Sequence, residues 1–289
     1  MRKKFTDMVG KILATISPTL ASHYWYLGRL KRPLRLKNPI TLNEKLMWLK
    51  LNCYGNDPLV CQCADKYRVR EYLKGMGCDT LLNDLYGVWD RVEDIPWDDL
   101  PNAFVLKCNH GCGYNILCPD KSKLDIEDAK ALLRKWMRED FWRKRAETQY
   151  RNIPRKIICE AFLGDGAPPV DYKIYCFHGK ASYILVCTER DTKKPKFYFF
   201  DSNWQLKRIT KDGLSAPTDF TVEKPALLEQ MLSYAEKLSA PFPFVRVDFY
   251  YVNNRIVFGE LTFTPSAATD NVRLPETDKL FGSMLELPL

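Results

Sequence analysis

The chain has 289 residues, 46% hydrophobic and 28% charged, enough to bury a sizeable core as one large or two modest domains. No low-complexity tract, fixed-period repeat or apolar run near the roughly 20 residues of a membrane-spanning helix occurs, which excludes repeat and helical membrane-spanning architectures. The formal net charge of +8 is concentrated: of 44 Lys/Arg and 36 Asp/Glu, nine basic residues and the single acid Asp7 fall in residues 1–37, leaving 35 of each sign beyond.

Within that basic arm, Phe5, Met8, Val9, Ile12, Leu13 and Ile16 follow a helical i, i+3, i+4 rhythm, and "HYWYLGRLKRPLRLK" follows. Two readings stay open: a helix docked on the domain with solvated lysines, or contact with an anionic membrane or acidic glycan. Nucleic acid fits less well, because no recognised binding fold accompanies the patch. Without a signal peptide's apolar stretch, the ten cysteines point to a reducing cytosol. Cys61, Cys63, Cys108, Cys112, Cys118 and His110 match no standard zinc spacing.

Thr41 and Glu44 form a capping box that opens a helix through "EKLMWLKLN". Residues Asp65 to Met76 read as a second helix. A strand-like "LLNDLYGVW" precedes "AFVLKCN", a strand running into the loop "HGCGYN" and the strand "ILC". Residues 125–150 read as one long charged helix. "RKIICEAFL" is a strand ending in the loop "GDGAPP", and "DYKIYCFHG", "KASYILVCTE" and "KFYFFDSN" form an antiparallel run. An amphipathic helix, "KPALLEQMLSYAEKLSA", leads to the hairpin "RVDFYYVNNRIVFGELTF". The order is mixed α+β with mostly antiparallel strands.

The hairpin carries Arg246, Asp248, Glu260 and Thr262 among aromatic and β-branched residues. A two-residue turn at Asn253-Asn254 sets Asp248 opposite Gly259; a three-residue loop through Arg255 sets it opposite Glu260. Only the second keeps the odd face apolar, so that register is expected. Facing carboxylates repel unless a cation lies between them, and a divalent metal completed by phosphates would serve. Acids pairing with lysines on an exposed strand face are the simpler alternative. Lys107, at the end of an apolar strand before Gly111 and Gly113, can neutralise phosphate charge while glycine N–H groups approach, or can be a surface lysine beside a turn.

The order of these segments resembles the ATP-grasp superfamily, and within it the TupA-like (teichuronopeptide biosynthesis) family of bacterial surface-polysaccharide clusters. The resemblance runs from "TLNEKLMWLKL" through "ADKYRVREYL", "LPNAFVLKCNHGCGYNI" and "DYKIYCFHGK" to "RVDFYYVNNRIVFGELTFTPSA", about residues 40–268. It implies an ATP-grasp fold of antiparallel sheets with flanking helices, nucleotide lying between two subdomains. The implied division is a basic arm at 1–40, a helical region at 41–100, a small subdomain at 101–165 and a C-terminal subdomain at 166–289. Lys66 and Lys107 match lysines that contact ATP phosphates. His110, Gly111, Cys112 and Gly113 match the loop closing over the triphosphate. Glu160, Ala161 and Phe162 match the adenine hinge, with Asp171 and Lys173 nearby. Asp248 and Glu260 match Mg²⁺ ligands, and Arg246 the arginine at the transferring phosphoryl group. Thr262 stands where the family pattern has asparagine, its hydroxyl being the expected third metal ligand in place of the amide carbonyl, and "TPSAA" stands where "PG" usually follows.

The implied activity is a Mg-ATP-dependent carboxylate–amine ligase working through an acyl-phosphate on an acidic glycan or lipid-linked saccharide, with an amino acid or amine as nucleophile. Residues 29–37 are expected to attract that acceptor. The expected location is the cytoplasm, at the inner face of the membrane. A sugar kinase, a glycosyltransferase and a non-catalytic nucleotide- or glycan-binding protein are the alternatives.

Overall fold

A computed structural model describes residues 2–164, 169–189 and 194–288. Part of the loop expected at 164–169, residues 165–168, therefore lies outside the described residues.

Two N-terminal helices, α1 (Arg2–Ile16) and α2 (Pro18–Leu30), form a hairpin in which Ser17 caps α2 and Pro18 takes its first turn. The predicted capping box is present at α3 (Leu42–Leu49), where the Thr41 hydroxyl accepts from the Glu44 N–H and Glu44 accepts from the Thr41 N–H. A π-helical turn, Lys50–Tyr54, extends α3. α4 (Pro58–Ala64) and α5 (Val69–Gly75) follow. The helix expected from Asp65 to Met76 is thus shorter. The Asp65 carboxylate accepts from the N–H groups of Tyr67 and Arg68, making a turn where the helix was to begin.

Four strands make the smaller sheet: β1 (Leu85–Trp89), β2 (Phe104–Cys108), β3 (Asn115–Cys118) and β4 (Ile157–Ala161), in the order β1-β4-β2-β3. α6 (Ile126–Arg138) covers its apolar face of Phe104, Leu106, Cys108, Ile157 and Cys159. The long helix expected over 125–150 ends at Arg138, and short 3-10 turns follow. Adjacent Phe141 and Trp142 are buried in different clusters, and one continuous helix face could not serve both.

Six strands make the larger sheet: β5 (Asp171–Phe177), β6 (Lys180–Thr188), β7 (Lys196–Phe200), β8 (Leu206–Lys207), β9 (Phe244–Val252) and β10 (Arg255–Thr262). Their order is β10-β9-β5-β6-β7-β8, and every pairing in both sheets is antiparallel. α7 (Lys211–Ser215) packs on β7, α8 (Leu228–Ser239) on β5, β6 and β9, and α9 (Pro275–Ser283) on α3.

The hairpin register differs from expectation in a way that preserves its purpose. Asn253 and Asn254, at φ 51° and 57°, form a two-residue turn pairing Val252 with Arg255, not a loop through Arg255. A β-bulge at Gly259 then shifts the register by one residue, so that Glu260 pairs with Asp248. Before the bulge, Ile256 and Phe258 share the face of Tyr251 and Phe249; after it, Leu261 joins Val247. The apolar face is therefore continuous, and the two carboxylates still meet.

Candidate active site

The larger sheet presents two polar rows beside each other. Lys173, Asp248 and Glu260 are cross-strand neighbours over β5, β9 and β10, and Tyr175, Arg246 and Thr262 form the next row. Asp248 is buried and accepts from Arg246 Nε at 2.7 Å, from the Arg246 guanidinium at 2.6 Å and from Lys173 at 2.8 Å. Lys173 also contacts Asp171. Glu260 lies 3.5 Å from both Lys66 and Arg246 and accepts from the Thr262 hydroxyl at 3.0 Å. Burial alone would raise the Glu260 pKa; Lys66, Arg246 and Lys173 overcome it and hold the carboxyl at about 2. Burial works against charge on Lys173 and Arg246 too, and Asp248 keeps both protonated above their ordinary range. Asp171 is raised by burial and by the neighbouring Asp248.

Facing this sheet, the smaller one contributes Lys107 and Glu160, whose Nζ–Oε2 separation is 2.6 Å. Arg70 of α5 is 3.3 Å from the other Glu160 oxygen. Lys66 sits in the turn before α5, and that turn is tied to the end of β2: Asn109 donates to Asp65 at 2.8 Å, and the Lys66 N–H donates to the Asn109 carbonyl.

Between the sheets lies a cleft of about 370 Å³, a size that suits a small-molecule ligand. Lys66, Lys107, Cys112, Gly113, Glu160, Ala161, Phe162, Asp171, Lys173, Asp248 and Glu260 line it, with apolar wall contributed by Val69, Leu82, Val105, Ile158 and Phe258. Two of the sequence-predicted loop residues turn elsewhere. His110 is buried with its Nε2 3.2 Å from the Trp136 carbonyl and its ring against Tyr114, and burial lowers its pKa. Gly111 backs onto Phe141, where a Cβ would come within 2.5 Å of the ring. Ala161 has its N–H bonded to Asp84 and its carbonyl to Asn83.

A second cleft, of about 630 Å³, opens on the other side of the hairpin row. Arg246, Glu260 and Thr262 line it from the sheet, Lys144, Arg145 and Glu147 from the segment after α6, and Asp7 and Lys11 from α1. Four cations thus face three carboxylates among the described residues. Glu147 is buried, accepts from Thr264 at 2.7 Å and has its pKa raised by burial. Lys50 beneath it is fully buried, and desolvation, reinforced by Arg145 and opposed by Glu147, lowers its pKa to about 8. Residues 29–37 line neither cleft; Arg29 bonds Asn271 and Arg32 bonds Asp278. Sequence reading missed Lys11, Lys144, Arg145 and Glu147, which no motif links and only the fold brings together. Ser266, standing where glycine is usual, keeps a left-handed φ of 52°, followed by Ala267 at 53° and Ala268 at 58°. Asp248, Glu260 and Thr262 form an oxygen-only donor set of the kind that holds a hard divalent cation alongside phosphate oxygens.

No curated protein matches the chain. Among solved structures it is similar to D-alanine–D-alanine ligase from Bacillus anthracis complexed with ATP, at 13% identity and a TM-score of 0.46, covering 83% of this chain and 63% of that one. It is also similar to N5-carboxyaminoimidazole synthase from Aspergillus clavatus in complex with ADP and 5-aminoimidazole ribonucleotide, at 12% identity and a TM-score of 0.41, covering 70% and 44%. The chain therefore spans less than two thirds of the length of either. The family model described as TupA-like ATP-grasp matches residues 44–286, taking in both sheets and the walls of the first cleft, and the chain belongs to that family.

Proposed function

We propose that the protein is an ATP-dependent, ADP-forming ligase that joins a carboxylate to an amine through an acyl-phosphate. The observation that carries this reading is the meeting of two clefts at the hairpin: Arg246, Glu260 and Thr262 border a cationic second chamber, while Glu260 also borders the lysine-lined first. Residues 101–165 and 166–289 are read as the two subdomains that enclose the nucleotide, after a region at 41–100.

In this reading the apolar wall of the first cleft takes the adenine, and the backbone beyond Ala161 reads its edge, since both Ala161 backbone groups are engaged. Lys66 and Lys107 bind phosphate oxygens, with the Cys112–Gly113 backbone above them; Asp171 approaches the ribose. The donors Asp248, Glu260 and Thr262 fit Mg²⁺, which when bound neutralises phosphate charge and orients the γ-phosphoryl group. Arg246 and Lys173 then exchange part of their hold on Asp248 for phosphate oxygens. Arg246 stabilises the charge that develops as phosphoryl passes to the acceptor carboxylate. Lys11, Lys144 and Arg145 hold that acceptor, an acidic group on a surface glycan or lipid-linked saccharide at the inner face of the cytoplasmic membrane. An amino acid or amine then attacks the acyl carbon, the C–O bond to phosphate breaks, and the amide, inorganic phosphate and ADP are released.

A sugar kinase is the second reading, favoured by one observation: Glu147 is a carboxylate in the second cleft with its pKa raised, a property of a general base. Product analysis separates the two. The ligase releases ADP only when an acidic glycan and an amine are both present, scored over a panel of acidic saccharides with pooled amino acids. ADP and a phosphorylated sugar from a neutral saccharide alone would overturn the ligase.

A further inference from the structure

α1 has two unlike faces. Gly10 and Ala14 are buried on one, where a Cβ on Gly10 would come within 2.0 Å of the Trp25 ring, so only glycine lets the helices approach this closely. The same side reaches the domain: Asp7 lies 3.5 Å from Arg145, whose guanidinium stacks 3.7 Å above Trp25. On the opposite side Phe5, Met8, Ile12 and Ile16 are 62%, 51%, 53% and 71% exposed. Their spacing of three, four and four residues makes one narrow stripe along the helix. Leu20 and Leu27, seven residues apart on α2, are likewise exposed. The helix is thus already docked, yet its largest apolar side chains face water.

The surrounding charge identifies what fits this stripe. Residues 1–37 carry nine basic residues and one acid, three of the nine in the first turn of α1 at Arg2, Lys3 and Lys4. A positively charged helix with an apolar stripe suits an anionic bilayer surface, into whose headgroup boundary the stripe sinks while the basic residues meet lipid phosphates. Among the described residues no helix is long and apolar enough to cross a membrane, so the contact is one of lying on the surface. We propose that the α1–α2 hairpin docks the protein on an anionic membrane, with Asp7 and Lys11 of the same helix setting the second cleft beside that surface. This does not depend on which reaction the clefts perform.

The test is co-flotation of the full chain with vesicles of phosphatidylglycerol and phosphatidylcholine, against vesicles of phosphatidylcholine alone, for the parent and for the triple variant Phe5→Ser/Ile12→Ser/Ile16→Ser. The parent is expected to partition at least ten-fold better onto the anionic vesicles, and to release in high salt. The variant is expected to lose at least ten-fold in partition at an unchanged melting temperature, because the altered side chains are solvent-exposed. Equal flotation of parent and variant, or none by the parent, overturns the proposal. So does a parent that is dimeric by light scattering without lipid while the variant is monomeric, which would make the stripe a surface for a second copy.

Discussion

Glu260 is where the charge of the site balances. Its carboxylate is shared among Lys66, Arg246 and the Thr262 hydroxyl, and it is more open to solvent than Asp248. Glu260→Gln keeps the shape and removes the charge, so ATP turnover should fall roughly 100-fold or more, the usual cost of losing one preorganised electrostatic partner. A variant turning over within three-fold of the parent would overturn the proposed metal-ligand role of Glu260. Its acidity also predicts a pH effect. With the folded pKa near 2, below the ordinary 4.5, Glu260 contributes stability that is complete above about 4.5 and lost as pH falls toward 2. Urea midpoints should therefore drop less between pH 5 and pH 3 in the variant than in the parent. Asp248 and Glu260 were legible because alternation marks a polar pair on an apolar hairpin. Glu147 and Lys144 were not: nothing local distinguishes them from residues of a solvated helix, the reading their segment invites. His110 was legible as a loop residue, but its direction depends on packing against Tyr114 and Trp136.

At the scale of the element, the hairpin has to satisfy its turn and its site with one strand. Asn253-Asn254 favours the tight turn, which alone would send Glu260 to the wrong face. Gly259 absorbs the extra residue. A Cβ there would stand 2.9 Å from the Asp248 carbonyl oxygen and 3.3 Å from the Tyr250 ring, so backbone must shift to admit it. Gly259→Ala is expected to lower stability by about 1–3 kcal/mol, the cost of overpacking, and to reduce turnover as Glu260 moves off Asp248. Denaturant unfolding alongside steady-state kinetics checks both; a variant matching the parent in each would show that the bulge tolerates a side chain. The sequence reading reached the right pairing through the wrong turn because periodicity reports faces, whereas an inserted residue leaves the faces intact and changes only the count. Strands were read well for the same reason. The helix expected over 125–150 failed because charge composition does not reveal that Phe141 and Trp142 belong to different cores.

For the whole molecule, residues of both sheets line the first cleft, so in the proposed reading a bound nucleotide touches both. Mg-ATP at about 100 times its dissociation constant should stabilise the fold by about 2.7 kcal/mol, seen as a rise of several degrees in melting temperature. Chelation of the metal should remove most of that rise; an equal rise with ATP and chelator would place binding outside the carboxylate row. Strand order made the mixed, mostly antiparallel architecture legible and the family resemblance its sheets, but the second cleft was legible from neither, since its walls come from positions as distant as Lys11, Arg145 and Thr264. Cys112 and Glu260 belong to the linings of both clefts. The two clefts therefore share a wall one side chain deep, and in the proposed reading the phosphoryl group passes from nucleotide to acceptor at that wall. In that reading the order of filling matters: with the acceptor side vacant, water competes for the same group, and α1, which borders that side through Asp7 and Lys11, is part of what shields it.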